Sequence, residues 1–300
     1  MHQALPRITI VTPSLNAEKT IERTLRSVED QAYPNLQMIC VDGNSSDNTQ
    51  AIIERYRHIV NHVIFEKDKN TADALNKGFK LADGEILCYL NADDALVSGA
   101  LMCVAHNFLR NPDIDVLTGG CHRIFADGSD MVTQVPENFL DTLSMRNMIE
   151  QPSTFWRTVA HRHAGVFDDS YQLAFDWECW NRLYASGAQF MRSPDVLSEY
   201  YFSDDNLTSR GGCRVIEEMY RVTKTYGPFG GYIADVYRFL FHAFDMRGYY
   251  DQSFESLSQV KKLLFGCSLL ILYKLFGKQT ISSYNWNWAS KQIRGLVWYK

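Results

Sequence analysis

Polar side chains suited to holding a nucleotide and a metal ion gather in short segments that follow apolar runs. The segments are Thr12-Pro13-Ser14-Leu15-Asn16, Asp42-Gly43-Asn44-Ser45-Ser46-Asp47 and Asn91-Ala92-Asp93-Asp94. Carboxylates accept hydrogen bonds from a base or a ribose, and hard oxygen ligands are what Mg²⁺ and Mn²⁺ prefer. A divalent cation bound beside them would neutralise a diphosphate. This chemistry is compatible with a site for a nucleoside diphosphate.

The first of these segments lacks the glycines of the common phosphate-binding loops. Thr12–Asn16 contains neither the G-x-G-x-x-G turn nor the G-x-x-x-x-G-K-[ST] loop, so dinucleotide and P-loop chemistry are not supported. Residues 1–255 carry 23 basic and 35 acidic side chains. Because an acidic body repels nucleic acid, no polynucleotide partner is expected.

The apolar runs belong to a pattern of alternating strands and helices. Short β-rich runs predict strands at Ile8–Val11, Met38–Val41, His62–Phe65 and Glu85–Leu90. Helical spacing of apolar residues predicts helices around Ile21–Val28, Gln50–Tyr56 and Thr71–Leu81. Such alternation is typical of an α/β fold with a mostly parallel central sheet flanked by helices, whose ligands gather beyond the carboxyl ends of the strands. The polar segments should therefore meet at one edge of the sheet.

Four ordered motifs resemble the family-two glycosyltransferases of the GT-A fold. They are Thr12–Asn16, Asp42–Thr49, Glu66–Lys69 with Asp73–Gly78, and Leu90–Asp94. Further along, Gln151–Arg157 resembles the acceptor-side loop of the family, and Asp176–Leu183 resembles the segment that delivers its catalytic base. The resemblance, which covers about residues 8–210, implies a Rossmann-like GT-A domain. It also implies inverting, metal-dependent transfer of a sugar from a nucleotide donor, with UDP favoured, to a hydroxyl of a glycan or lipid-linked saccharide in envelope polysaccharide synthesis.

The resemblance further implies roles for individual residues. Donor binding is assigned to Thr12, Pro13, Ser14, Asn16, Asp42, Asp68, Asp73, Lys77, Asn91 and Ala92. Asp93 is the implied ligand of Mn²⁺ or Mg²⁺, although Asn91 replaces the acidic residue expected two positions earlier. Asp176 is the implied general base, which takes the proton of the attacking hydroxyl. The acceptor side comprises Gln151, Pro152, Ser153, Thr154, Trp177 and Glu178.

Ordinary structural roles compete with these assignments. Asp42 lies in a segment with the composition of a turn, and Asp68 could be a solvated charge between two lysines. The Asp93-Asp94 pair and Asp176 could each cap a helix. Two other classes of protein also remain open. A noncatalytic sugar-nucleotide-binding module would not need the Asp176 segment, whereas a nucleotidyltransferase would carry a glycine- and arginine-rich loop after the first strand.

Other titratable residues near Asp176 are weaker candidates for the base. Asp168 and Asp169 lie nearer a turn. His161 and His163 are two positions apart, a spacing that does not place both side chains on one helix face. We therefore expect both histidines to be surface or loop residues.

The end of the chain differs in charge from the rest. Residues 256–300 contain seven Lys or Arg and no Asp or Glu. We expect a catalytic domain at 1–215, divided into a nucleotide-sugar half of about 1–95 and an acceptor and base half of about 96–215. A helical, basic and aromatic region is expected to follow at 216–300.

This basic region is predicted to lie on an anionic membrane surface. Leu263–Tyr273 is an uncharged run of eleven residues between Lys262 and Lys274, which is too short to cross a bilayer. Trp286, Trp288, Trp298 and Tyr299 suit the headgroup zone. The alternative is a helical hairpin that packs on the catalytic domain or forms a homodimer. Since no secretory leader opens the sequence, we expect a cytoplasmic protein that is peripheral on the inner membrane.

Overall fold

The computed structural model describes residues 4–202, 212–243 and 259–277. The chain divides into two compact units, one built from residues 1–137 and 149–203 and the other from residues 138–148 and 204–300. The predicted boundary at 215 falls inside a helix, α7, which spans Gly212–Tyr226. Residues 138–148 were predicted to belong to the catalytic domain but belong to the second unit. Nothing in their composition separates them from their neighbours, so the sequence could not reveal this.

The first half of the sheet is parallel, as predicted. Strands β1 (Ile8–Ser14), β2 (Leu36–Asp42), β3 (Val60–Phe65) and β4 (Ile86–Tyr89) pair in the order β3-β2-β1-β4. Helices α1 (Ile21–Glu29), α2 (Thr49–Arg55) and α3 (Thr71–Phe79) alternate with them. Every residue of β1 is buried, which is expected for a strand covered on both faces.

The second half of the sheet adds antiparallel strands. It contains β5 (Ala95–Leu96), β6 (Val116–Ile124), β7 (Asp130–Thr133), β8 (Thr154–Arg157) and β9 (Phe190–Tyr201). Strand β8 is antiparallel to both β4 and β6, while β6 and β9 are parallel. Helices α4 (Ala100–Arg110), α5 (Thr158–Ala164) and α6 (Phe175–Ala185) belong to this half. The predicted α/β class with a central sheet and flanking helices is confirmed.

From residue 212 onward, most of the described residues of the second unit form helices. Helix α7 is followed by α8 (Tyr232–Ala243) and α9 (Gln259–Phe276). Polar contacts join α7 to α8, since Asp235 accepts from the Tyr220 hydroxyl at 2.9 Å and from the Lys224 ammonium at 2.6 Å. No helix within the described ranges is both long and apolar enough to cross a membrane. Trp286, Trp288, Trp298 and Tyr299 lie outside the described residues.

Candidate active site

The three polar segments predicted to meet do follow neighbouring parallel strands. Ser14 ends β1, Asp42 ends β2, and Asn91 comes two residues after the end of β4. Since β1 lies between β2 and β4, their carboxyl ends share one edge of the sheet. The sheet therefore brings the segments predicted to bind donor and metal to one place.

Asp42 is fully buried and its carboxylate is surrounded by hydrogen-bond donors. One oxygen accepts from the hydroxyls of Ser14 at 2.9 Å and Ser45 at 2.6 Å. The other accepts from the Ser45 backbone N–H and the Gln50 side-chain amide, both at 2.8 Å. Four donors occupy roughly the four lone-pair positions of a carboxylate. A bound base would reach Asp42 only after one of these side chains moved aside.

The loop after β1 is joined to the loop after β2. Asn16 adopts a left-handed backbone conformation with φ of 51°, which Asn tolerates better than most residues. Its backbone N–H donates to the Ser45 hydroxyl at 2.7 Å, and its side-chain oxygen accepts from the Ser46 N–H at 2.9 Å. Thr12 and Pro13 are buried within β1. Asn16 is exposed. Within this predicted donor segment, a ligand can therefore reach the side chain of Asn16 more easily than those of Thr12 and Pro13.

Asp68 approaches the same loops from the segment after β3. A Cβ at Gly43 would lie 2.6 Å from a carboxylate oxygen of Asp68, so a larger residue there would make this carboxylate shift. Burial raises the pKa of Asp68, and the positive charge of Lys77 partly opposes that rise. Lys77 also forms ion pairs with Glu66 at 3.2 Å and Asp73 at 3.5 Å. The predicted donor residues Asp68, Asp73 and Lys77 thus form one charged cluster.

Asn91 is held by a glutamine from the predicted acceptor-side loop. Its amide nitrogen donates to the side-chain oxygen of Gln151 at 3.1 Å, and the Gln151 amide donates to the Tyr89 carbonyl at 2.8 Å. The Asn91 amide also lies 3.3 Å from an oxygen of Asp94. Asn91 therefore shapes the turn that carries Ala92 and Asp93.

Asp93 lies in this turn and is half-buried. Its backbone carbonyl accepts from the Arg23 guanidinium at 2.7 Å, and Arg23 itself lies 3.4 Å over the Tyr201 ring. Strand β5 begins at Ala95, so the alternative in which Asp93 and Asp94 cap a helix is wrong. The sequence did not mark Arg23 as part of the site, because it is one of two arginines on α1 and belongs to none of the motifs.

Asp94 provides an orphaned oxygen beside Asp93. It is fully buried, and one oxygen of its carboxyl group has no hydrogen-bond partner. Burial raises the pKa of Asp94 well above its usual value, and the charge of Asp93 adds to the rise. Within the described ranges, no three His, Cys, Asp or Glu side chains form a group able to hold a metal ion. One or two carboxylates with hard oxygens fit a cation whose remaining ligands are phosphates and water.

Asp176 lies in the first turn of α6, close to the end of β4. Its carboxylate accepts from the Trp177 backbone N–H at 2.6 Å. The neighbouring Phe175 ring packs 6.0 Å from the Tyr89 ring. Burial raises the pKa of Tyr89 well above its usual value, and the carboxylates of Asp176 and Asp94 add to the rise. Tyr89, which sequence reasoning did not single out, therefore lies at the end of β4 beside the start of α6.

Five of the predicted acceptor-side residues are buried. They are Pro152, Ser153, Thr154, Trp177 and Glu178. The Ser153 hydroxyl lies 2.6 Å from both the Gly120 carbonyl oxygen and the Ser198 hydroxyl. Glu178 forms an ion pair with Arg182 at 3.0 Å. These five side chains belong to the interior of the unit. Of the six predicted acceptor-side residues, only Gln151 is half-exposed.

The two histidines differ from each other. His163 is exposed, as expected, but the expectation for His161 is wrong, because it is buried on α5 among Phe79, Trp156 and Phe167. Burial lowers the pKa of His161 to about 4, with the charge of Arg182 adding to the effect. His161 is therefore a neutral core residue.

The alternative bases Asp168 and Asp169 lie in a turn before α6, as expected. Asp168 accepts from the Ser170 N–H at 2.9 Å. Asp169 forms an ion pair with Lys69 at 3.0 Å, and its carbonyl accepts from the Asn70 amide at 2.8 Å. Asp169 thus joins this turn to the loop that precedes α3.

Comparisons with known proteins agree with this arrangement. The family described as "Glycosyl transferase family 2" matches residues 9–200. The putative teichuronic acid biosynthesis glycosyltransferase TuaG of Bacillus subtilis is 39% identical over 92 residues, which cover 30% of this chain and 36% of that protein. The Escherichia coli UDP-Glc:alpha-D-GlcNAc-diphosphoundecaprenol beta-1,3-glucosyltransferase WfgD is 32% identical over 105 residues, covering 35% and 42%. The match thus spans less than half the length of either relative.

The fold has solved counterparts. The mannosyltransferase PcManGT from Pyrobaculum calidifontis, in complex with GDP-Man and Mn²⁺, superposes with a TM-score of 0.61 at 18% identity. The superposition covers 97% of this chain and 88% of the mannosyltransferase. At this identity the likeness concerns the fold.

Proposed function

The chain belongs to glycosyl transferase family 2, and from this premise we propose that it transfers a sugar from a nucleotide donor to a hydroxyl of a glycan or lipid-linked saccharide. One observation carries the proposal. Phe175, which precedes Asp176 on α6, packs with its ring 6.0 Å from the ring of Tyr89, at the end of the strand that leads into Asn91-Ala92-Asp93. A candidate base and a candidate metal segment thus adjoin one residue.

The donor nucleotide would bind along the loops after β1 and β2. Ser14, Asn16 and Asp42 line this edge, and Asp68 adds a partly desolvated carboxyl group beside Gly43. We favour a UDP-sugar, because the name of the E. coli relative specifies UDP-Glc. The archaeal neighbour was solved with GDP-Man, so GDP is the alternative to be tested.

Asp93 would hold the divalent cation, Mn²⁺ or Mg²⁺. The buried Asp94, the next residue in the chain, would support Asp93. When bound, such a cation neutralises the charge that develops on a diphosphate leaving group. Asn91 contributes no charge of its own. Its hydrogen bonds to Gln151 and Asp94 instead fix the turn that positions Asp93.

Asp176 would act as the general base of an inverting displacement. The acceptor oxygen forms a bond to C1 of the sugar while the bond from C1 to the diphosphate oxygen breaks, and the hydroxyl proton passes to Asp176. The Trp177 N–H holds one carboxylate oxygen in place. Attack from the face opposite the leaving group inverts the anomeric configuration.

We also propose that the acceptor is part of a cell-envelope glycan carried at the cytoplasmic face of the inner membrane. The support comes from the relatives, whose names specify teichuronic acid biosynthesis and a diphosphoundecaprenol acceptor.

Calorimetry tests the donor site directly. UDP and GDP should be titrated with Mn²⁺, with Mg²⁺ and with a chelator, and UDP with Mn²⁺ should bind most tightly. Equal binding with metal and chelator would contradict the metal role. A screen of donors against acceptors then separates an enzyme from a noncatalytic binding module, because only an enzyme turns over the donor.

A further inference from the structure

Helix α9 presents an apolar stripe to solvent along its whole length. Among the side chains of α9 that the structure describes, the exposed ones are Val260, Leu263, Leu264, Cys267, Ile271, Lys274 and Leu275. Leu263 is 68% exposed and Leu275 is 69% exposed. Scattered single apolar residues on a surface are ordinary, but a continuous series on one helix indicates an interaction surface.

These exposed residues share one face of the helix. At 100° per residue, positions 260, 264, 267, 271 and 275 follow one another at spacings of three or four residues. Leu272 and Gly266 lie on other sides of the helix and are buried. Helix α9 therefore has one face that packs within the protein and another that is open.

The positive charge of Lys274 and of the sequence that contains α9 indicates which partner the stripe binds. Lys274 is exposed on the same face, and residues 256–300 carry seven basic side chains and no acidic ones. A two-fold dimer through this stripe would set Lys274 of both copies in one interface, because such an interface uses the same patch twice. An anionic surface instead complements the charge and accepts the apolar side chains.

We propose that the exposed face of α9 inserts, parallel to the surface, into the headgroup region of an anionic lipid bilayer. At 18 residues α9 is about 27 Å long at 1.5 Å per residue, and Lys274 interrupts its apolar surface. A helix that exposes such a stripe would lie in the interface, where its aliphatic side chains enter the acyl boundary and Lys274 meets anionic headgroups. This interaction is independent of the transfer reaction.

Flotation of the full-length chain with vesicles tests the proposal. Vesicles of phosphatidylglycerol mixed with phosphatidylcholine should bind the protein, and vesicles of phosphatidylcholine alone should bind it at least tenfold more weakly. Raising the salt from about 0.1 M to about 0.5 M should weaken binding, because the Debye length shortens. Binding of equal strength to both vesicle types would overturn the charge complementarity.

A double substitution tests the stripe. Leu263→Glu with Leu275→Glu should weaken binding to the anionic vesicles at least tenfold. The matched control is Met131→Glu with Val132→Glu, two exposed apolar residues on β7 in the other unit, and it should bind like wild type. Circular dichroism melting of both variants checks that they remain folded. Equal flotation of the stripe variant and wild type would overturn the proposal.

The mass in solution, measured by light scattering, tests whether a second copy of the chain binds the stripe instead of a membrane. We expect the stripe variant and wild type to have the same mass. A wild-type dimer that the stripe substitutions convert to a monomer would assign the stripe to a second copy of the chain, and would overturn the membrane assignment.

Discussion

The side-chain amide of Asn91 donates to the side-chain oxygen of Gln151 at 3.1 Å. The bond joins the turn that carries Asp93 to the 3-10 helix ahead of β8, 60 residues further along the chain. Gln151 also donates to the Tyr89 carbonyl at 2.8 Å, so one side chain fixes both ends of the link between β4 and the turn.

Removing Gln151 should therefore loosen the metal segment. Gln151→Ala leaves the Asn91 amide and the Tyr89 carbonyl without this partner, at a cost of about 1–3 kcal/mol for unmade buried bonds. We expect UDP binding in Mn²⁺, measured by calorimetry, to weaken about tenfold, with little change in chelator. Gln189→Ala is the control, since Gln189 bonds only locally to Gly187 through its side chain. Identical metal-dependent affinities of the two variants would contradict the role of Gln151.

Gln50 should compete with the donor base for Asp42. Because Asp42 is fully buried under its hydrogen-bond donors, a base must displace one of them, and the Gln50 amide lies on a half-exposed side chain. A single such bond contributes about 0.5–1.5 kcal/mol, so Gln50→Ala should tighten UDP binding by up to about tenfold. Asp42→Asn should weaken it. A Gln50→Ala variant that loses affinity as Asp42→Asn does would show that Gln50 itself contacts the nucleotide.

Glu178 should matter for stability more than for the acceptor. It is buried and pairs with Arg182, whose guanidinium also donates to the carbonyls of Gly165 at 2.9 Å and Val166 at 2.8 Å. Removing one partner of a buried ion pair costs about 3–5 kcal/mol. We expect Glu178→Leu to lower the free energy of unfolding in urea by about that amount. The acceptor KM of the folded fraction should stay within about twofold of the wild-type value. A large rise in KM would contradict this prediction and would mean that Glu178 contacts the acceptor.

His161 should make the protein less stable at mildly acidic pH. The unfolded chain binds a proton at this residue below its usual pKa of 6.5, whereas the folded protein does so only below a pKa of about 4. Stability from this residue is therefore complete above pH 6.5 and is lost as the pH falls toward 4. By linkage the loss between pH 7 and pH 5 is about 2 kcal/mol.

Urea unfolding at these two pH values checks the prediction for His161. His161→Phe keeps an aromatic ring in the core and should reduce the difference between pH 7 and pH 5 by about the same 2 kcal/mol. His163→Phe changes an exposed neighbour and should leave the difference as in wild type. A pH dependence that His161→Phe does not alter would mean that another group titrates in this range.

The parallel half of the fold could be predicted because its strands are short, apolar and separated by amphipathic helices. The predicted helix at Gln50–Tyr56 and strand at Glu85–Leu90 each agree with the structure to within a residue at either end. The antiparallel half could not be predicted, because pairings such as Val116 with Trp156 join distant segments whose apolar patterns do not specify partners.

The sequence could single out the acidic residues of the candidate site, but not their environment. Asp42 and Asp93 stand out because ordered motifs contain them. Gln50, Tyr89 and Arg23 do not, since their roles arise only when the fold brings together residues such as Arg23 and Asp93, 70 positions apart. Burial likewise depends on the fold, which is why the acceptor-side assignment of Ser153 and Glu178 could not be judged from the sequence.

The turnover of Asp176→Asn, with donor affinity measured on the same sample, tests the proposed reaction most directly. Loss of a general base should lower kcat by about 10²–10⁴-fold, while the Kd for UDP in Mn²⁺ stays within a few-fold of wild type. Asp93→Ala should instead weaken metal-dependent UDP binding, and the control Asp168→Asn should retain turnover. A product with inverted anomeric configuration is expected from wild type. Near-normal turnover of Asp176→Asn, or a product with retained configuration, would contradict the account.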